Sequence, residues 1–291
     1  MKNDSLIKRQ LYKVAALLIP DSLFVRLKFR KGMGRWPDLK NPRTFNEKLN
    51  WLKLHDHNPL YTRMVDKYEA KKYVAGIIGE EYIIPTYGVW DKSEDIDFDS
   101  LPDKFVMKAT HDSGRVIICH DKSSLDREWS RVEMKKSLQR DFYAVTREWP
   151  YKNVPHRIIA EKFMQQSDGN LTDYKFFCFD GTVDCVMVCV ERQSGNPKFY
   201  FFDRHWNFVR LNRRGMEVPE GFTLPKPQNI DKMFAMASDL SKGHPFLRVD
   251  LYNIDGAIYF SELTFFPDGG VDSNLLPETD AGWGGLLKLN I

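Results

Sequence analysis

Residues 246–264, Phe-Leu-Arg-Val-Asp-Leu-Tyr-Asn-Ile-Asp-Gly-Ala-Ile-Tyr-Phe-Ser-Glu-Leu-Thr, constrain the chain more than any other segment. Apolar and polar residues alternate on both sides of Asp255-Gly256, which predicts two strands joined by a tight turn. Arg248 and Asp250 are the charged residues of the first strand, and Glu262 and Thr264 are polar positions of the second. Whether they share a face is a question of parity, because strand side chains alternate with a period of two. A two-residue loop at Asp255-Gly256 pairs Asp250 with Ser261 and sends Glu262 to the opposite face. A three-residue loop over Ile254-Asp255-Gly256 pairs Arg248 with Glu262 and leaves Asp250 diagonal to it, about 7 Å away. The expectation is the three-residue loop, with Asp250 and Glu262 sharing one hard divalent cation such as Mg²⁺, which takes oxygen ligands. The competing reading is a surface hairpin with a weak cross-strand ion pair, so the rest of the chain has to decide.

At 291 residues the chain is long enough for about two domains. Cys119, Cys178, Cys185 and Cys189 form no C-x-x-C pair and sit in apolar runs. They are expected to be reduced core residues of a cytoplasmic protein. The apolar run Val14–Ile19 is too short to span a bilayer, which takes about 20 residues. Charge is unevenly spread. Residues 1–50 hold twelve Lys and Arg against four acids, a surplus of eight, which leaves the remainder at −5 within a net charge of +3. Such a segment suits either a solvated helical face or peripheral contact with a membrane or an acidic glycan. No nucleic-acid-binding signature accompanies it, and nucleic acid is not expected as a partner.

In chain order, two short helices are expected over 5–19 and 21–30. Thr44 with Glu47 forms a capping box for the next helix. A longer helix after Pro59 runs to Ile78 and carries Lys67. Asp95-Ile-Asp97 and Asp97-Phe-Asp99 match the D-x-D pattern of sugar-nucleotide enzymes, although any acidic turn produces it. Lys108 closes a strand before the small polar loop Thr110–Gly114, where backbone N–H groups can approach an anion. Ser123 and Ser124 are expected to cap a helix to Tyr143, with Leu125, Trp129, Val132 and Leu138 on its apolar side. Residues 157–203 read as an antiparallel meander. Asn229 is expected to cap the helix 230–242, which Gly243 closes. The seven histidines show no metal-ligand spacing, and only His111, in the small polar loop, is a candidate for function.

Taken together, Asp66-Lys67 with Ala70-Lys71, Lys108 before its loop, Glu161-Lys-Phe-Met164, and Arg248-x-Asp250 with Glu262-x-Thr264 resemble the ATP-grasp superfamily. The residues Asn41–Trp51, Asp173–Gly181 and Glu262–Gly270 resemble its TupA-like (teichuronopeptide biosynthesis) branch. The likeness covers roughly residues 40–285. It implies an α+β ATP-grasp fold of two subdomains gripping ATP, behind a basic helical segment. The implied division is 1–60, 61–156 and 157–291. It also implies roles. Lys67 and Lys108 would bind phosphates, and the loop with His111, Ser113 and Gly114 would lie over them. Glu161, Lys162 and Phe163 would hold adenine, and Asp173 the ribose. Arg248 would face the γ-phosphate, Lys108 and Arg248 acting in catalysis. Asp250, Glu262 and Thr264 would hold Mg²⁺, Thr264 standing where Asn is usual. The activity implied is an ATP- and Mg²⁺-dependent ligase acting through an acyl-phosphate. It would join an amine and a carboxylate, an amino acid to a uronic acid of a surface polysaccharide. The alternative is a glycosyltransferase using the acids of Asp95–Asp99.

Overall fold

The computed structural model describes residues 18–191 and 195–289. The first helix expected from the sequence, over 5–19, lies almost wholly outside them. The chain divides into two compact units, each discontinuous in sequence.

The first unit comprises Met1–Leu27, Lys53–Ala70 and Ile84–Phe163. Its sheet is antiparallel, in the order β1-β4-β2-β3, with β1 Thr86–Trp90, β2 Phe105–Ala109, β3 Val116–Cys119 and β4 Ile158–Lys162. Phe105, Met107 and Ala109 alternate into the core, where Ile96, Phe98, Leu101, Met134, Ile158 and Ala160 meet them. Lys108 and Val106 therefore face the other way. The helix Arg127–Leu138 is shorter than the sequence suggests. Its cap is Asp126, whose carboxylate accepts from Trp129 N–H at 2.8 Å, and not Ser123 or Ser124. A separate short helix, Phe142–Thr146, is capped by Asp141. The buried side of the longer helix is Ser130, Met134 and Ser137, while Trp129 and Val132 are exposed. Two of the three buried residues are serines, which a search for apolar periodicity passes over.

The helix expected from Pro59 to Ile78 is broken. Leu60–Val65 and Glu69–Ile78 are separate because Asp66 turns extended, at ψ 115°. The Asp66 carboxylate accepts from Tyr68 N–H at 2.9 Å and pairs with Arg157 at 2.7 Å. These bonds replace the helical ones that the break forgoes.

The second unit comprises Lys28–Leu52, Lys71–Ile83 and Met164–Ile291. Its six-stranded antiparallel sheet runs β10-β9-β5-β6-β7-β8. The strands are β5 Asp173–Phe179, β6 Thr182–Val190, β7 Lys198–Phe202, β8 Phe208–Val209, β9 Leu247–Ile254 and β10 Ala257–Thr264. The meander expected over 157–203 is thus β5 to β7 only. β4 pairs with β1 and β2 in the other sheet, so the units also differ from a division at residue 157. The helix Ile230–Ser241 packs one face, with Phe234 edge-on to Phe176 at 5.1 Å between centroids. Asn229 precedes it in a left-handed conformation and makes no side-chain cap, donating instead to the Gly256 carbonyl at 2.9 Å. On the other face Phe177 stacks on Trp283 at 4.7 Å. The capping box is present: Thr44 N–H donates to Glu47 Oε2 at 3.2 Å and Glu47 N–H to Thr44 Oγ1 at 3.4 Å.

The hairpin of 247–264 corrects the three-residue loop. Ile254 pairs with Ala257 across a two-residue turn, with Asp255 at φ 51° and Gly256 at φ 94°. That left-handed pair is what an Asp-Gly turn of this twist requires. Parity is restored further along by a β-bulge at Ser261, so Asp250 pairs directly with Glu262 and Arg248 with Thr264. The shared face is reached by a bulge in the strand, not by an odd loop.

Candidate active site

In the second unit, β9 lies between β10 and β5, and the ladder fixes what faces what. Lys175 pairs with Asp250, Asp173 with Tyr252 and Phe177 with Arg248. One face therefore carries Asp173, Lys175, Arg248, Asp250, Glu262 and Thr264. Asp250 is buried, and its carboxylate receives Arg248 in bidentate fashion, Nε at 2.7 Å and Nη2 at 2.8 Å, along with the Lys175 ammonium. Arg248 Nη2 also donates to Thr264 Oγ1 at 3.1 Å, and Thr264 donates to Glu262 Oε1 at 2.9 Å. Burial by itself would lower the pKa of both cations. Asp250 and Glu262, joined by Asp268 at Arg248 and by Asp173 at Lys175, together outweigh burial, so the Arg248 and Lys175 pKa values both lie above their ordinary values and both stay charged.

Sequence reasoning passed over Lys175. The signal was present: it is the one cation in Asp173–Phe179, two residues from Asp173 and so on the same face. Asp268 and Asp272 were also missed. Asp268 adds to the field at Arg248, and burial together with Asp268 pushes Asp272 up to about 6.

Asp250 and Glu262 are oxygen donors of the kind a hard cation takes, and in this structure Arg248 and Lys175 occupy the Asp250 carboxylate. Asp250 and Glu262 stand opposite one another, with the Thr264 hydroxyl on Glu262. Among the described residues no group of three or more His, Cys, Asp and Glu is placed to hold a metal. A site of two carboxylates suits Mg²⁺, which keeps much of its shell for water and phosphate oxygens.

In the first unit a second set assembles. Lys108 lies diagonal to Glu161 across β2 and β4, with Nζ 2.5 Å from Oε2. Glu161 is buried, Lys162 is exposed, and Lys162 N–H is donated to the Pro85 carbonyl at 2.9 Å. Phe163 meets His120 edge-on at 5.0 Å. Lys67 sits in the helix break, not on a helix. Its N–H donates to the Thr110 carbonyl at 3.1 Å and its ammonium to the Asp112 carbonyl at 2.7 Å, which brings it to the loop. Ser113 and Gly114 are exposed, and Gly114 holds φ 102°, open only to glycine without strain. Arg140 anchors the loop by pairing with Asp112 at 2.8 Å and donating to the Ser113 carbonyl at 2.8 Å. His111 is buried, stacked on His156 at 3.6 Å between centroids, with Nε2 3.1 Å from the Arg140 carbonyl. Burial, followed by the neighbouring His156, lowers its pKa to about 4, so its ring is neutral near pH 7.

The D-x-D acids have a structural origin. Asp95, Asp97 and Asp99 are exposed because Ile96 and Phe98 between them enter the core. Asp97 accepts from Asp99 and Ser100 N–H, and Asp99 pairs with Arg127 at 2.9 Å. All four cysteines are free and buried. No helix among the described residues is long and apolar enough to cross a membrane.

One antiparallel sheet thus carries Lys108 with Glu161, and the other an Arg-Asp-Glu-Thr cluster. The chain belongs to the TupA-like ATP-grasp family, which it matches over residues 47–288. No curated protein matches it. Among solved structures it is similar to D-alanine–D-alanine ligase from Bacillus anthracis, at 17% identity and TM-score 0.41, over 84% of this chain and 65% of that one. It is also similar to L-amino acid ligase from Bacillus licheniformis, at 12% identity and TM-score 0.45, over 92% and 57%. A third is the ATP-grasp ligase PsnB complexed with minimal precursor, at 12% identity and TM-score 0.44, over 79% and 61%. The chain spans less than two thirds of each of these proteins.

Proposed function

We propose that the protein is an ATP- and Mg²⁺-dependent ligase that joins a carboxylate to an amine. The observation that carries the reading is the in-register pairing of Asp250 with Glu262, beside Arg248 and Thr264, in a member of the TupA-like ATP-grasp family. Asp250, Glu262 and Thr264 would hold Mg²⁺, which would neutralise triphosphate charge. Arg248 would face the γ-phosphate, and Lys67 and Lys108 would bind the other phosphates. The loop with His111, Ser113 and Gly114 would exclude water, which otherwise hydrolyses an acyl-phosphate. Glu161, Lys162 and Phe163 would receive adenine, and Asp173 the ribose.

The substrate carboxylate attacks the γ-phosphorus, giving an acyl-phosphate and ADP. The amine then displaces phosphate, loses a proton and forms the amide. Phosphoryl transfer asks mainly for positioning and charge neutralisation, which two lysines, an arginine and a cation supply. The finer reading is an amino acid attached to a uronic acid of a surface polysaccharide, in the cytoplasm. The basic N-terminal segment would contact an acidic glycan or a membrane surface. Measuring ADP release with amino acids and uronic acids, singly and in pairs, tests the reading. ADP release only when both a carboxylate and an amine are supplied supports it, and ATP turnover indifferent to either would overturn it.

A further inference from the structure

A cavity of about 670 Å³ in the second unit has no part in the site above. Asn41, Arg43, Thr44 and Glu47 of the Asn41-Pro-Arg-Thr-Phe-Asn-Glu segment line one part of it, and Arg35, Asp38, Arg213, Ser273 and Asp280 line the rest together with the apolar Met33, Leu275 and Pro277. Glu47 organises that segment. Its carboxylate accepts from the Arg35 guanidinium and from the N–H groups of Asp38 at 3.2 Å, Arg43 at 3.1 Å and Thr44 at 3.2 Å. The wall is close-packed from behind, since a Cβ on Gly284 would lie 2.1 Å from the Arg43 carbonyl oxygen.

The acids of the cavity are already engaged. Besides Glu47, Asp38 accepts from Lys40 and Asn41 N–H, and Asp280 from the Asn46 N–H and side-chain amide. The guanidiniums of Arg43 and Arg213 differ: among the described residues neither has an ion-pair or hydrogen-bond partner. Arg213 is held in place through its backbone, its N–H donating to the Asn274 carbonyl at 2.8 Å. The cavity thus presents two uncommitted forks suited to carboxylate, among the amide and hydroxyl groups of Asn41, Thr44 and Ser273.

We propose that this cavity binds a carboxylate-bearing saccharide, with Arg43 and Arg213 holding its carboxylates and the polar side chains its hydroxyls. The proposal rests on the ligase reading only in giving that enzyme's acidic substrate a place to dock. Carboxylate and phosphate share the chemistry that an arginine fork reads, so the test separates them.

Calorimetric titration with trigalacturonate, maltotriose, a triglutamate peptide and inorganic phosphate provides it. Trigalacturonate should bind and weaken steeply with salt. Arg43→Ala and Arg213→Ala should each weaken it at least tenfold, and Arg43→Lys should restore part of the loss. Maltotriose, triglutamate and phosphate should bind at least tenfold more weakly. No binding of trigalacturonate, equal binding by the alanine variants, or equal binding of any other probe would overturn the proposal. Stabilisation by a Mg²⁺–ATP analogue, recorded on the same variants, should be unchanged. Arginine-dependent binding without any nucleotide effect would sink the ligase reading and leave the cavity assignment standing. The reverse pattern would do the opposite.

Discussion

The two charged clusters of this chain are built on sheets of different regularity. In the first unit, β2 pairs with β4 without a break, and Lys108 meets Glu161 by simple alternation. In the second, β9 and β10 lose and regain parity within one hairpin, and Glu262 reaches Asp250 only because of the bulge at Ser261. The clusters also differ in how charge is balanced. Glu161 pairs with Lys108, at 21% side-chain exposure, whereas Asp250, at 1%, pairs with both Arg248 and Lys175, at 12% and 14%. A regular ladder places charges where sequence says they fall. An irregular one concentrates them, and one carboxylate then carries two cations.

That contrast predicts unequal costs. Asp250→Ala leaves two buried cations without their shared partner and should destabilise by about 3–5 kcal/mol. Glu161→Ala takes a carboxylate from Lys108, which is exposed enough to reach water, and should cost on the order of 1–3 kcal/mol. Urea denaturation of the two variants measures both, and equal costs would break the comparison.

Acid should act on the units with opposite sign. His111 has its pKa lowered from 6.5 to about 4, so the unfolded chain binds more protons across that window. Stability therefore falls as pH drops from 6.5 towards 4, by about 2 kcal/mol. Asp272 is raised from 3.8 to about 6, so the folded chain binds more protons there, and stability falls as pH rises through that window. His111→Gln should flatten the acid-side loss, and Asp272→Asn should remove the opposing one. Denaturation midpoints between pH 4 and 7 check both.

The smallest effect sharpens the comparison most. Deleting Ser261 removes the bulge residue but keeps Asp250 opposite Glu262, so it should cost only about 1 kcal/mol and spare nucleotide binding. With a three-residue loop the same deletion would turn Glu262 to the wrong face and abolish binding.

Much of this was legible in sequence, for identifiable reasons. The alternation of Phe105, Met107 and Ala109 fixed the side on which Lys108 lies, and Thr44 with Glu47 announced its helix. What stayed hidden depended on partners distant in sequence. The break at Asp66 is stabilised by Arg157, 91 residues on. The assignment of β4 to the first sheet rests on pairing with β1 and β2, which its own residues do not encode. The bulge was invisible because Ser261 is an ordinary strand residue, and either loop length satisfies the apolar pattern. The face of Lys175 was legible from Asp173, but its pairing with Asp250 arises only through the β5–β9 ladder.

The proposed function has Lys108 bind a nucleotide phosphate and Asp250 hold Mg²⁺. Thermal unfolding with a non-hydrolysable Mg²⁺–ATP analogue tests it most directly, on the parent, Lys108→Ala and Asp250→Asn, with a Mg²⁺–UDP-sugar as the comparison ligand. At 100 times its Kd the analogue should stabilise the parent by about 2.7 kcal/mol, and that gain should vanish in both variants. A gain with the UDP-sugar alone, unchanged by either substitution, would contradict the account.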